Sequence, residues 1–224
     1  MFTRVLFSLP IIALLATSAS AQTVSDSTFG PTSGWTSAMI QNTTTPPSSA
    51  TFTEIVPATG GFLGNVSGAG PYRQTTMTYQ DGGIQVAHIY GAYTYSAATA
   101  GVSIAGLNFS YALIKFLPAG NTLSDAFAPL LLQNDTYYAA GSNSGTTPPY
   151  DGVFFQNSWE TGSSTGSFSH VLIASDFVNV GGVGLVNALG PGPTHPDFSC
   201  TGAPIQFGYL TANSNLDFSS RLPR

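Results

Sequence analysis

The chain has 224 residues, only 7% of which are charged, and its formal net charge at pH 7 is −5. A chain so poor in lysine and arginine has no positive patch for nucleic acid or for an anionic membrane surface. We therefore expect no nucleic-acid partner, and a solubility that depends on uncharged polar residues and glycine.

The first 21 residues have the three parts of an export signal. Arg4 supplies the positive charge, residues 5–16 form an apolar run, and Ala19-Ser20-Ala21 matches the A-x-A cleavage pattern. This run is too short to cross a bilayer, which takes roughly 20 residues, and no later stretch comes close. We expect cleavage after Ala21, no membrane span, and a secreted or extracytoplasmic mature protein. The composition is typical of exported bacterial proteins.

Residues 22–50 are rich in serine, threonine and proline and predict an N-terminal arm, which docks on the domain at Trp35 as an edge strand. From residue 51 the hydrophobic period changes to two, which predicts a single all-β domain over 51–224. The predicted strands are 83–95, 101–116, 127–133, 136–140, 152–157, 168–174 and 204–211. Asn134-Asp135 predicts a hairpin turn, since both residue types tolerate a positive φ.

The best helical window, 124–132, is interrupted by Pro129, so β-structure is favoured there too. Strands at regular spacing, separated by glycine and proline turns, are typical of a sandwich or a barrel. We expect an antiparallel β-sandwich. Cys200 is the only cysteine, so no internal disulfide can support the fold. We expect Cys200 to be a buried or half-buried small residue.

Four segments carry a resemblance to a known family. They are GNVSGAGPYRQ (64–74), GLNFSY (106–111), LLQNDTYY (131–138) and PIQFGY (204–209). Together they resemble exported bacterial proteins with a concanavalin A-like, laminin G-like jelly roll. The resemblance implies a jelly-roll order of strands over roughly residues 50–214. Jelly rolls of this kind include lectins and glycoside hydrolases, so the fold implies no single activity.

Glutamate is too scarce here for the glucanases that the chain resembles. Those enzymes carry Glu-x-Asp-x-x-Glu on one strand, whereas Glu54 and Glu160 are the only glutamates and lie far apart. A hydrolase of glycosidic, ester or lactone bonds, with or without calcium, stays an alternative with candidate catalytic residues Asp151, Glu160 and His170. Residues 162–166 match the nucleophile pattern G-x-S-x-G, but without a following helix they predict a surface turn.

Aromatic rings beside short polar side chains favour a sugar-binding surface, because rings stack on the apolar faces of sugars while amides and carboxylates bond to the hydroxyls. The candidate ligand-binding residues are Tyr150, Gln156, Asn157 and Trp159, and the pairs Tyr93 with Tyr95 and Tyr137 with Tyr138 offer a similar mixture. The leading hypothesis is a secreted module that binds carbohydrate, such as a polysaccharide, or another extracellular polymer. A non-catalytic surface or matrix protein is the remaining alternative.

No zinc or EF-hand motif is present in the sequence. Jelly-roll modules can hold calcium with loop carbonyls, asparagine and aspartate. Asn134 and Asp135 are therefore the candidate calcium ligands, and Ca²⁺ is the only cofactor that we consider.

Overall fold

The computed structural model describes residues 22, 34–44, 50–59, 62–63, 66–67, 70–79, 82–113, 124–140, 160–163 and 171–214. Nearly all regular structure in these residues is antiparallel β-sheet, which confirms the all-β prediction. The strands are β1 (Trp35–Asn42), β2 (Thr51–Ile55), β3 (Phe62–Leu63), β4 (Val66–Ser67), β5 (Gln74–Thr78), β6 (Gly83–Tyr95), β7 (Ser110–Leu113), β8 (Ser124–Gln133), β9 (Thr136–Ala140), β10 (Glu160–Ser163), β11 (Phe177–Gly182) and β12 (Ile205–Ser214). A one-turn helix, α1 (Ala97–Ala100), and a 3-10 turn (Ala174–Asp176) accompany them.

Six strands form one main sheet in the order β1-β6-β12-β8-β9-β11. The sheet curls until its two edges meet, since Ile40 of β1 packs against Gly181 of β11. Beside this contact, the backbone N–H of Asn187 donates to the Ile40 carbonyl at 3.0 Å. The side chain of Asn187 also exchanges two hydrogen bonds of 2.7 Å with the backbone of Asn42. Both edges are thereby covered, which protects them from pairing with another chain.

The main sheet is buried on both faces. Inside the curl, small and branched apolar side chains form one core cluster: Ile40, Ala87, Ile89, Ala128, Leu130, Tyr137, Ala139 and Leu210. On the outer face of β8, β9 and β12, loop residues cover a second cluster: Leu131, Tyr138, Ala140, Leu172, Phe177, Phe198 and Ile205. Burial of this apolar area supplies most of the driving force for folding, at roughly 25 cal/mol per Å².

A second layer covers the outer face of β1, β6 and β12. It is the antiparallel pair β2 and β5, called the β2–β5 layer below. Burial alternates along β2, so Phe52 and Glu54 face the main sheet while their neighbours face solvent. Tyr79, just after β5, donates its hydroxyl to Asn213 of β12. Two packed layers of this kind confirm the β-sandwich character, and the jelly-roll order of strands stays a prediction.

The predicted strands 83–95 and 136–140 coincide with β6 and β9. The predicted hairpin turn is also confirmed: Asn134 and Asp135 join β8 to β9 with φ of 50° and 57°. Pro129 lies in the half of β8 that pairs only with β12 within the described strands. A sheet tolerates proline at such an edge-like position, because the missing N–H removes no ladder bond there.

Three predicted elements are corrected. The predicted strand 101–116 is broken at its start, because Gly101 ends α1 with a φ of 68°, and pairing resumes only as a bridge at Leu107 and then β7. In residues 171–174, the described part of the predicted strand 168–174, pairing is limited to a bridge at Leu172, after which the carboxylate of Asp176 accepts from the Ile173 N–H at 2.7 Å and closes a turn. Gly162 and Ser163, the first two residues of the predicted Gly-Ser turn 162–166, belong to β10, and the rest of that turn lies outside the described residues.

Cys200 is exposed, so the prediction that it is buried or half-buried was wrong. It lies in a tight turn in which the Ser199 N–H donates to the Asp197 carboxylate at 2.8 Å, and this turn leaves its side chain outside the core. Among the residues that the structure describes, no helix has the length and hydropathy required to cross a membrane.

Candidate functional site

Four polar side chains meet where the β2–β5 layer rests on the main sheet. Ser37 of β1 and His88 of β6 are direct cross-strand partners, so their side chains emerge side by side. Glu54 of β2 and Arg73, the residue before β5, reach them from the layer above. These four residues are called the polar cluster below.

Glu54 is the acceptor at the centre of the polar cluster. One carboxylate oxygen accepts from the Ser37 hydroxyl at 2.7 Å and lies 2.8 Å from the His88 Nδ1. Arg73 donates to both carboxylate oxygens, with its Nε 3.3 Å from Oε1 and its Nη2 in close contact with Oε2. The same Nη2 donates to the Ser37 Oγ at 3.1 Å. A two-pronged arginine–carboxylate pair of this kind is both strong and directional.

His88 is fully enclosed in the sheet, with none of its side chain exposed. Its Nε2 lies 2.8 Å from the Thr211 hydroxyl, and its ring stacks on Tyr209 at 4.4 Å between centroids. The carboxylate at Nδ1 fixes the tautomer, because the ionised Glu54 can only accept. Nδ1 therefore carries the proton, and Nε2 accepts from Thr211.

Burial by itself would raise the pKa of Glu54. The hydrogen bond of His88 and, once its ring is protonated, its charge, together with hydrogen bonds from Arg73 and Ser37, more than offset burial and lower that pKa to about 2. For His88, burial is the largest influence and lowers the pKa below 6.5, Glu54 opposes it, and the Arg73 charge lowers it further. At pH 7 the polar cluster thus holds an ionised Glu54, a charged Arg73 and a neutral His88.

We expect acid to remove the contribution of Glu54 to stability in a defined window. The carboxyl binds its proton near pH 4.5 in the unfolded chain and near pH 2 in the folded chain, so the unfolded state takes up the proton first as the pH falls. As long as the polar cluster stays assembled, the contribution is therefore complete above pH 4.5 and is lost between pH 4.5 and about 2. Urea unfolding across this window should show a loss on the order of 2 kcal/mol in the wild type that Glu54→Gln lacks. Parallel pH profiles in the two proteins would contradict this assignment.

The Thr211 hydroxyl, the His88 ring and the Glu54 carboxylate are hydrogen-bonded in sequence. This order can move a proton from a hydroxyl to an imidazole, as in hydrolases that use an activated nucleophile. Here, however, His88 is enclosed on every side and Tyr209 covers one ring face. The hydrogen bonds from Thr211 to His88 and from His88 to Glu54 therefore hold the two layers together. The base, His88, is not accessible to a substrate.

A row of aromatic residues lies one step along the same face. Trp35, Tyr90 and Phe207 are in register on β1, β6 and β12. The rings of Trp35 and Tyr90 are 5.3 Å apart, and Tyr93 extends the row with its ring 6.1 Å from that of Phe207. All four side chains are half-buried. These four residues are called the aromatic strip below.

The aromatic strip and the polar cluster are contiguous. The Trp35 ring lies 5.4 Å from Tyr209, which itself stacks on His88. The guanidinium of Arg73 lies 5.8 Å from the centre of the Trp35 ring, within cation–π range. Gln206, next to Phe207, brings its amide close to Gly91, between the two tyrosines of the aromatic strip. Because Gln206 and Phe207 are consecutive in β12, the Gln206 side chain lies on the opposite face of the sheet from the aromatic strip.

Most of the site residues predicted from the sequence lie outside the described residues, namely Tyr150, Asp151, Gln156, Asn157, Trp159 and His170. The backbone of Glu160 is described as the start of β10, where it pairs with Leu113. These assignments stay predictions. Of the other aromatic pairs, Tyr137 and Tyr138 are buried in the core, which removes them as a sugar-binding surface, whereas Tyr93 belongs to the aromatic strip.

Asn134 and Asp135 are exposed at the tip of the β8–β9 turn. In the described part of the chain, no three histidine, cysteine, aspartate or glutamate side chains form a group that could hold a metal. Calcium binding at this turn stays a prediction.

The sequence predictions missed the polar cluster, although the chain contains two signals for it. Histidine is unusual in the middle of an apolar strand, as His88 is between Ala87 and Ile89. Glutamate and arginine are so scarce here that Glu54 and Arg73 are conspicuous, and charged side chains are seldom buried unless they are paired.

Comparisons of this chain with protein-family models, with curated proteins and with solved structures gave no match.

Proposed function

We propose that the mature chain is an exported β-sandwich module that binds carbohydrate, or another extracellular polymer, without catalysing a reaction. The observation that carries this proposal is the register of Trp35, Tyr90 and Phe207, which places three half-buried rings side by side across neighbouring strands. Ring faces held in a row on a rigid sheet lose little entropy on binding, and they match the flat apolar faces of sugars. The export signal in the sequence supports an extracellular ligand.

The charge near the aromatic strip favours a neutral ligand. Arg73, which lies over Trp35, is already paired with Glu54, and only 9% of its side chain is exposed. Because the charge of Arg73 is already balanced by Glu54 and little of its side chain is exposed, it offers an acidic polysaccharide little attraction. We therefore expect neutral polysaccharides to bind more tightly than acidic ones.

Binding should depend on the rings at the solvent side of the aromatic strip. We expect Tyr93→Ala and Tyr90→Ala each to weaken polysaccharide binding about tenfold, which corresponds to about 1.4 kcal/mol. The measurement is co-sedimentation with insoluble glycans and calorimetry with soluble ones, over a panel of neutral and acidic polysaccharides. Leu189→Ala is the matched control, because Leu189 is 52% exposed and lies outside the aromatic strip.

Two results would overturn the proposal. One is a folded wild-type protein that binds no member of the panel. The other is binding that both tyrosine variants leave unchanged, since the ligand would then lie elsewhere. Unfolding midpoints of all variants are measured alongside, so that lost binding is separated from lost structure.

A further inference from the structure

We infer that the polar cluster is an acid-sensitive strap: when His88 takes up a proton, the β2–β5 layer detaches from the main sheet. The inference concerns a conformational change in the fold, and it does not depend on any ligand.

The geometry makes the polar cluster the fastening between two layers. Glu54 crosses from the β2–β5 layer to Ser37 of β1 and His88 of β6, and Arg73 crosses from the same layer to Ser37. Within 50–59 and 70–79, these two residues are the only charged ones. Both charged side chains of this layer therefore contact the main sheet at the same point.

The charges at that point balance only while His88 is neutral. Arg73 contributes one positive charge and Glu54 one negative charge, so the sum is zero at neutral pH. Protonation of His88 adds a positive charge where the histidine side chain is fully buried and that of Arg73 is 9% exposed. A buried charge without a partner is costly, and one carboxylate cannot serve two cations equally well. Moving the β2–β5 layer away lets water hydrate the excess charge.

The other groups that face His88 cannot absorb this charge. Ser37 of β1 and Thr211 of β12 offer hydroxyls, which remain neutral. Burial raises the pKa of Tyr209, the ring stacked on His88, so its hydroxyl also remains neutral. Among the described residues no second carboxylate contacts His88. Protonation at Nε2 also forces Thr211 to reverse its hydrogen bond, because Nε2 can then only donate.

The direction of titration agrees with this geometry. Burial first, and the Arg73 charge after it, keep the pKa of His88 below 6.5 in the closed structure despite the opposing effect of Glu54. Once the layer is detached and the ring is hydrated, the pKa returns towards 6.5. The detached form therefore binds more protons in this range, so the closed form is complete above pH 6.5 and is progressively lost as the pH falls below it. This transition precedes the Glu54 window, which starts at 4.5.

Hydrogen exchange resolved by segment tests the strap. Protection factors, corrected for the intrinsic pH dependence of exchange, are measured between pH 7.5 and 4.5 for β2 and β5, with β8 and β9 as the internal reference. We expect the protection factors of β2 and β5 to fall, by roughly tenfold for each unit by which closure of the layer lowers the pKa of His88. The protection factors of β8 and β9 should stay constant. In a Trp159→Phe background, the fluorescence of Trp35, which lies beneath Arg73, should change over the same pH range.

Two matched variants separate His88 from the other histidines. His88→Gln keeps a polar side chain that cannot take up a proton, so it should keep β2 and β5 protected at pH 5. His195→Gln removes an exposed histidine by the same substitution and should behave like the wild type. If His88→Gln does not fold, NMR titration of the wild-type protein replaces it. The signals of the His88 ring and of the β2 amides must then change over the same pH range. Constant protection of β2 and β5 while the His88 ring titrates would overturn the inference, as would an unchanged acid response in folded His88→Gln.

Discussion

Glu54→Gln should lower the free energy of unfolding at pH 7 by about 3 kcal/mol, because it removes the only negative charge from a buried pair. Arg73, with 9% of its side chain exposed, would be left without a counter-charge. The new amide would also place an NH₂ group among Ser37, Arg73 and His88, all of which are donors towards Glu54 in the native protein. Urea unfolding followed by far-UV and near-UV circular dichroism measures the loss.

The matched control is Asp135→Asn, the same carboxylate-to-amide change at an exposed turn position where asparagine accepts the φ of 57°. It should change stability by less than about 0.5 kcal/mol. A second test removes both charges: Glu54→Leu combined with Arg73→Met should be more stable than Glu54→Leu alone, since no charge is then left buried. A double variant less stable than the single one would show that Arg73 acts independently of Glu54.

The parts of this fold that could be predicted are those that local sequence determines. Alternation over residues 84–91 marks β6, because successive side chains of a strand point to opposite faces of the sheet. Asn134-Asp135 marks the β8–β9 turn because few other residues adopt a positive φ without cost. Trp35 marks the docking strand because a large ring in a polar segment needs a surface to pack against. Each of these signals lies within a few positions of the structure that it predicts.

The parts that could not be predicted depend on contacts between distant positions. Ser37 meets Glu54 across 17 residues and His88 across 51, and His88 meets Thr211 across 123. No local pattern predicts which strands will be neighbours. The polar cluster therefore could not be predicted, even though its members are conspicuous when each is considered alone. The same reason explains the missed strand β11. Its glycines resemble a turn in sequence, and its strand state follows from pairing with β9 and from packing of Gly181 against Ile40.

Gly208 occupies a position in the main sheet that has no room for a side chain. It lies in β12 between Ile89 of β6 and Leu130 of β8. A Cβ at this position would overlap the carbonyl oxygen of His88, which belongs to the backbone of the neighbouring strand. A backbone atom in a paired strand cannot swing aside as a flexible side chain can, so β12 and β6 would have to separate.

We expect Gly208→Ala to lower the free energy of unfolding by more than about 4 kcal/mol, because separating the two central strands disturbs the stack of His88 on Tyr209 as well as the ladder. Gly91→Ala is the matched control within β6: its added Cβ would meet the Gly34 carbonyl at 3.2 Å, a contact that only a small shift is needed to relieve, so the cost should stay below about 1 kcal/mol. Urea midpoints and the near-UV signal of the stacked rings measure both variants. A Gly208→Ala protein as stable as Gly91→Ala would mean that β12 and β6 are not held this closely, and the enclosed environment assigned to His88 would be wrong with it.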